Sequence, residues 1–126
     1  MQITKGLIAP QSYLDADPEV IAVLVNGCGP GGWKVDLVPD ELLGLDISEA
    51  CNIHDFMYTI GTCEADKKEA DETFRKNLYT LIDQSTGFIE SIIKYDRMLK
   101  ADAYYEAVHL FGNSAFWTGK NKSEGV

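Results

Sequence analysis

No stretch of this chain is apolar for long enough to cross a membrane. The longest aliphatic run is VIAVLV, residues 20 to 25, against the ~20 apolar residues that a transmembrane helix needs. It reads as a core segment. Asp15, Asp17 and Glu19 stand before it, where a secretory leader carries basic residues, so no signal peptide is expected within the sequence. The chain then works inside the cell that makes it, leaves by another route, or had a leader removed upstream; action outside the producer or after release is the expectation. Basic residues are few: 11 Lys and Arg face 20 Asp and Glu, a formal charge of −9. That balance repels phosphate backbones and speaks against nucleic acid as a partner. It also weakens adsorption to anionic membranes, unless a cation or an apolar rim supplies the attraction. Three cysteines, Cys28, Cys51 and Cys63, are too few for a disulfide-dense scaffold. Internal repeats and low-complexity tracts are missing, and strand signals are poor throughout.

What is present is the composition of a soluble globular protein: 126 residues, 45% apolar and 25% charged, enough for one domain spanning residues 1–126 with a real core. Residues 17 to 25, DPEVIAVLV, fit a short helix with Asp17 as N-cap and Pro18 in the first position, stopped by GCGPGG. From Cys28 to Asp46 the glycines and prolines make a loop. Asp46 with Glu49 has the spacing of a capping box and Gly61 is a natural stop, which bounds a helix of roughly 47 to 60. After a turn holding Cys63, Asp66 or Glu64 can cap a second helix to about residue 83, with the apolar stripe Ala70, Phe74, Leu78 and Leu81. A third helix is expected from about Phe88 to Phe111, with Gly112 as its stop. The KGLIAPQ start and GKNKSEGV tail are expected to fray. The fold class that follows is mainly α, built on two long antiparallel helices.

Two stretches could carry chemistry. In NGCGPGG, residues 26 to 32, four glycines in six positions permit backbone conformations that let several carbonyls converge. Converging carbonyls suit calcium, which takes oxygen ligands and would need a carboxylate from elsewhere, Asp55 being a candidate. The plainer reading is a turn that only reverses the chain. In CNIHDFMY, residues 51 to 58, helical spacing gathers Cys51, His54, Asp55 and Tyr58 on one face. A bridge between Cys28 and Cys51 would clamp the loop to that face; the alternatives are three buried free thiols, or zinc on Cys28, Cys51, His54 and Cys63, which lacks a compact second ligand pair. His54 needs an acceptor. Asp71 lies at the edge of the second helix's stripe, where a carboxylate is costly unless paired. Across an antiparallel hairpin turning near residue 63, positions 54 and 71 are nearly symmetric and should face each other. An Asp on one imidazole nitrogen fixes the tautomer and leaves the other as general base. Against this, Asp71 could simply be solvated among Lys67, Lys68 and Arg75.

CGPGG followed by ACNIHDFMY resembles the calcium loop and the C-x-x-H-D-x-x-Y catalytic helix of the secreted-type, calcium-dependent phospholipases A2, in particular their small microbial or phage-borne members. The likeness covers roughly residues 26 to 82, and KADAYYEAVHLFG, 100 to 112, is similar to the third helix of bacterial members. It implies a mainly helical fold and hydrolysis of the sn-2 ester of phospholipids, with His54 as general base, Asp71 as its orienting carboxylate and Tyr58 supporting Asp71. It further implies Ca2+ held by the Asp55 carboxylate and the carbonyls of Gly27, Gly29 and Gly31, an oxyanion donor in the Gly29 amide, and a Cys28–Cys51 disulfide. Its partner would be a phospholipid membrane or micelle surface, met as a monomer. Ala50, Phe56 and Met57 stand where animal members often carry cysteines or a C-Y pair, so this chain must rely more on its core.

Asp102 is a rival for the role of Asp71, and His109 reads as a structural histidine. Leu7, Ile8, Trp33, Phe116 and Trp117 could form an apolar rim toward lipid. From a different class comes a catalytically silent, calcium-dependent lipid-binding or toxin-accessory module. The intact His54, Asp55 and Asp71 set speaks against it, because a binder needs no base.

Overall fold

A computed structural model describes residues 2–4, 6–24 and 41–117. The expectations placed on Gly27, Cys28, Gly29, Gly31, Trp33 and the 119–126 tail lie outside these residues. The chain begins with an antiparallel hairpin, β1 (Gln2–Thr4) and β2 (Leu7–Ala9), followed by the short helices α1 (Gln11–Asp15) and α2 (Pro18–Leu24). A second hairpin, β3 (Glu41–Leu42) and β4 (Leu45–Asp46), leads into α3 (Ser48–Ile60), α4 (Glu64–Gln84), α5 (Phe88–Phe111) and α6 (Asn113–Trp117). The described residues are therefore mainly helical, with two long helices packed together and α3 against α4. The core lies where these three meet β2 and α6, around Phe74, Leu78, Ile53, Ile47, Leu42 and Phe116.

Helix limits follow the sequence cues closely, but the N-caps of α3 and α4 do not. The Asp17 carboxylate accepts the Glu19 N–H at 3.1 Å and Pro18 opens α2, as its position predicts. At α3 the capping box is not formed. Asp46 accepts the Ser48 N–H at 2.8 Å, while Glu49 accepts a hydrogen bond from the Tyr13 hydroxyl at 2.8 Å and so joins α1 to α3. At α4 neither Glu64 nor Asp66 is the N-cap. Cys63 occupies that position, and Asp66 reaches back to the Thr62 N–H at 2.9 Å, which fixes the residue just ahead of the helix. Gly61 ends α3 with φ −70° rather than a left-handed turn. A Cβ there would come 2.7 Å from the Phe116 ring, so close approach of α6 explains the glycine.

Residues 6–11 are not frayed. Leu7 and Ala9 are fully buried, on the same face of β2 as its two-residue period requires. Asn77 of α4 pins the strand, accepting the Ile8 N–H at 2.7 Å and donating to the Ile8 carbonyl at 2.9 Å. In the second hairpin, Leu43 and Gly44 have φ of 49° and 83°, both left-handed as a two-residue I′ turn demands. The strained Leu43 is held by Arg97 of α5, whose buried guanidinium donates to the carbonyls of Leu42 at 3.1 Å and Leu43 at 2.8 Å. The expected lipid rim is also corrected: Leu7, Phe116 and Trp117 are core residues and Ile8 is half-buried, because β2 and α6 fold inward. Large exposed apolar side chains lie instead on the first turns of α5, among them Phe88, Ile92 and Tyr95.

Candidate functional site

The turn between α3 and α4 brings positions 54 and 71 opposite each other. His54 Nε2 and Asp71 Oδ1 are 2.8 Å apart, and both side chains are fully buried. Tyr58 lies one turn after His54, so it projects from the same face. Its hydroxyl donates to the same Asp71 oxygen at 2.6 Å. The imidazole is packed between rings, 4.1 Å from the Tyr58 centroid and 4.8 Å from that of Phe74. Asp55 follows His54 on α3 and is 8% exposed. Successive residues on a helix point about 100° apart, so its carboxylate faces a different direction from the His54–Asp71 contact.

The second oxygen of Asp71 has a partner that the sequence does not advertise. Lys67, one turn earlier on α4, places its ammonium 2.9 Å from Asp71 Oδ2 and is 4% exposed. The same ammonium donates to the carbonyls of Val108 at 3.2 Å and His109 at 3.3 Å, in the last turn of α5. Charge alone suggests a solvated lysine beside Lys68. The usable signal is periodicity, because 67, 71, 74 and 78 fall on one helical stripe.

Burial works against ionising Asp71, yet hydrogen bonds from His54, Tyr58 and Lys67, with the His54 charge, outweigh it and hold the carboxyl below its ordinary range. For His54 the balance is reversed. Burial pushes the imidazole pKa down by more than the Asp71 hydrogen bond and charge raise it, and the Lys67 charge pushes the same way. Tyr58 is driven far up by burial, then by the Asp71 charge and hydrogen bond, and stays a donor. The resting pair is a neutral imidazole on an ionised carboxylate. With Nε2–H given to Asp71, the basic lone pair sits on Nδ1.

The rivals fall elsewhere. Asp102 is half-exposed, accepts from the Tyr79 hydroxyl and faces Arg75 at 3.5 Å. His109 is exposed and stacks on Tyr105 at 5.6 Å. Cys63 is a free, half-buried thiol at the start of α4. Cys51 is fully buried and not free; the sulfur expected to pair with it, on Cys28, lies outside the described residues, as do the carbonyls of Gly27, Gly29 and Gly31. Among the described residues no cluster of three or more His, Cys, Asp or Glu could hold a metal. The zinc set includes Cys28, which lies outside the described residues, and a calcium site of carbonyls and one carboxylate needs no such cluster. A cavity of about 310 Å³ opens beside Lys67, Asp71 and His109 without touching His54. Comparison with family models, with curated proteins and with solved structures finds no match in any of the three.

Proposed function

We propose that the chain is a calcium-dependent phospholipase A2, cleaving the sn-2 ester of glycerophospholipids to a fatty acid and a lysophospholipid. One observation carries the reading: a buried His54 held through Nε2 by an ionised Asp71 that Tyr58 also grips. A solvated aspartate has neither the shared oxygen nor the enclosure. Asp71 holds the Nε2 proton and the ring plane, so Nδ1 is the atom that takes a proton from the attacking water. As the imidazolium forms, Asp71 stabilises it. Asp55, next to the base, supplies a hard oxygen donor for Ca2+, and the carbonyls of Gly27, Gly29 and Gly31 would complete the protein ligands. The bound cation would polarise the ester carbonyl and meet the substrate phosphate. The Gly29 amide would serve as oxyanion donor, and a Cys28–Cys51 bridge would keep its loop against α3. The substrate is a phospholipid membrane or micelle surface, the working form a monomer, and the site of action outside the producing cell or after release.

Fatty-acid release from mixed phospholipid vesicles, with millimolar calcium or with chelator, tests the reading in the native protein and in His54→Ala. Release that needs calcium and drops by at least about 10²-fold with the substitution is expected, that being the low end for a general base. Calcium binding without release from any phospholipid would move the assignment to the silent lipid-binding module.

A further inference from the structure

We propose that Lys67 is a positioning residue of the His54–Asp71 pair, locking Asp71 so that one oxygen alone faces the imidazole. The proposal rests on the hydrolase reading for its consequence in catalysis, but the geometry behind it stands apart from that reading. A lysine that is 4% exposed is rare unless its charge is answered. Here each of three ammonium hydrogens has an acceptor within hydrogen-bond distance: Asp71 Oδ2 at 2.9 Å, the Val108 carbonyl at 3.2 Å and the His109 carbonyl at 3.3 Å. Two of those acceptors belong to the C-terminal turn of α5, the negative end of its dipole, where a cation is favoured.

The division of labour on Asp71 follows. Oδ1 accepts from His54 and Tyr58 and, among the described residues, Oδ2 accepts from Lys67 alone. Were Oδ2 unheld, the carboxylate could rotate about its terminal torsion, a soft one, and His54 would lose its fixed plane. Lys67 thus ties the orientation of a base on α3, through a carboxylate on α4, to the end of α5. A lysine serving only as a strut between α4 and α5 would leave catalysis alone once the fold is intact. One acting by charge alone would predict the opposite sign, since removing a cation favours the imidazolium and raises the rate.

Lys67→Met keeps the length of the side chain and removes the ammonium. In a variant with native far-UV circular dichroism, we expect kcat on phospholipid vesicles with calcium to fall at least tenfold while KM stays within twofold. In the Asp71→Asn background the same substitution should change kcat less than threefold, because the carboxylate it positions is gone. A second reading needs no activity: we expect the hydrogen-bonded His54 Nε2–H proton resonance to be sharp in the native protein and to broaden or vanish in Lys67→Met through exchange with water. If Lys67→Met does not fold, Lys67→Gln decides on the same measurements, and failure of both to fold would assign Lys67 to the strut alone. A folded variant with kcat within threefold of native, or higher, and an unchanged resonance would overturn the proposal. Should the native protein release no fatty acid, the hydrolase reading fails by itself and the resonance still decides the role of Lys67.

Discussion

Asp71 carries three hydrogen bonds on two oxygens inside a protein interior, and its ionisation is therefore tied to the fold. Because its folded pKa is depressed, Asp71 contributes stability that is complete above its unfolded pKa, about 4. That stability is lost as pH falls through the folded value. Denaturant titrations at pH 7, 5, 4 and 3 should show the native protein losing stability more steeply across the acid range than Asp71→Asn does. Equal slopes would mean that other carboxylates carry the acid sensitivity. The His54–Asp71 pairing was legible in the sequence from hairpin symmetry and from the cost of an unpaired carboxylate on a stripe. Lys67 was legible only as a position on that stripe, because a lysine flanked by another lysine looks solvated, and its contact with Val108, 41 positions away, reveals what encloses it.

The long helices announce themselves through their breakers, and α5 runs from Phe88 to the residue before Gly112, as expected. The strands do not, since elements of two or three residues are too short to establish an alternating pattern. Besides its pairing with β1, β2 is held by a side chain 69 positions away, Asn77, which takes both polar groups of Ile8. Local sequence carries no sign of such a contact. Asn77→Ala should cost about 2–3 kcal/mol, from two hydrogen bonds of ~1 kcal/mol each and the backbone groups left stranded. The denaturation midpoint measures it, and a loss below 0.5 kcal/mol, on the order of a surface substitution, would show that the hairpin docks through Leu7 and Ala9 without this clasp. The caps were misread for a related reason: Glu49 has the right spacing to close a box but finds a better donor in Tyr13 across the fold.

As a whole, the molecule carries a formal charge of −9, so a divalent cation has a favourable field to enter and a folded state to stabilise. A cation that binds the folded chain alone raises stability by about 2.7 kcal/mol at a hundred times its dissociation constant. Millimolar calcium should raise the melting temperature of the native protein, magnesium should do so less, and Asp55→Asn should abolish the calcium shift. A shift that survives the substitution would place the cation elsewhere. The mainly helical architecture could be read from composition and breakers. The inward course of α6 could not, because Phe116 and Trp117 look like any aromatics near a chain end until Gly61 makes room for one of them.

The contact between Lys67 and the end of α5 also bears on time. The His54 imidazole on one helix, its carboxylate on the next and the brace for that carboxylate on a third come together only when all three helices have packed. A nascent chain that has formed α3 and α4 but not yet docked the last turn of α5 would hold the imidazole loosely. On the proposed hydrolase reading, the capacity to cut lipid would then arrive only once that turn has docked.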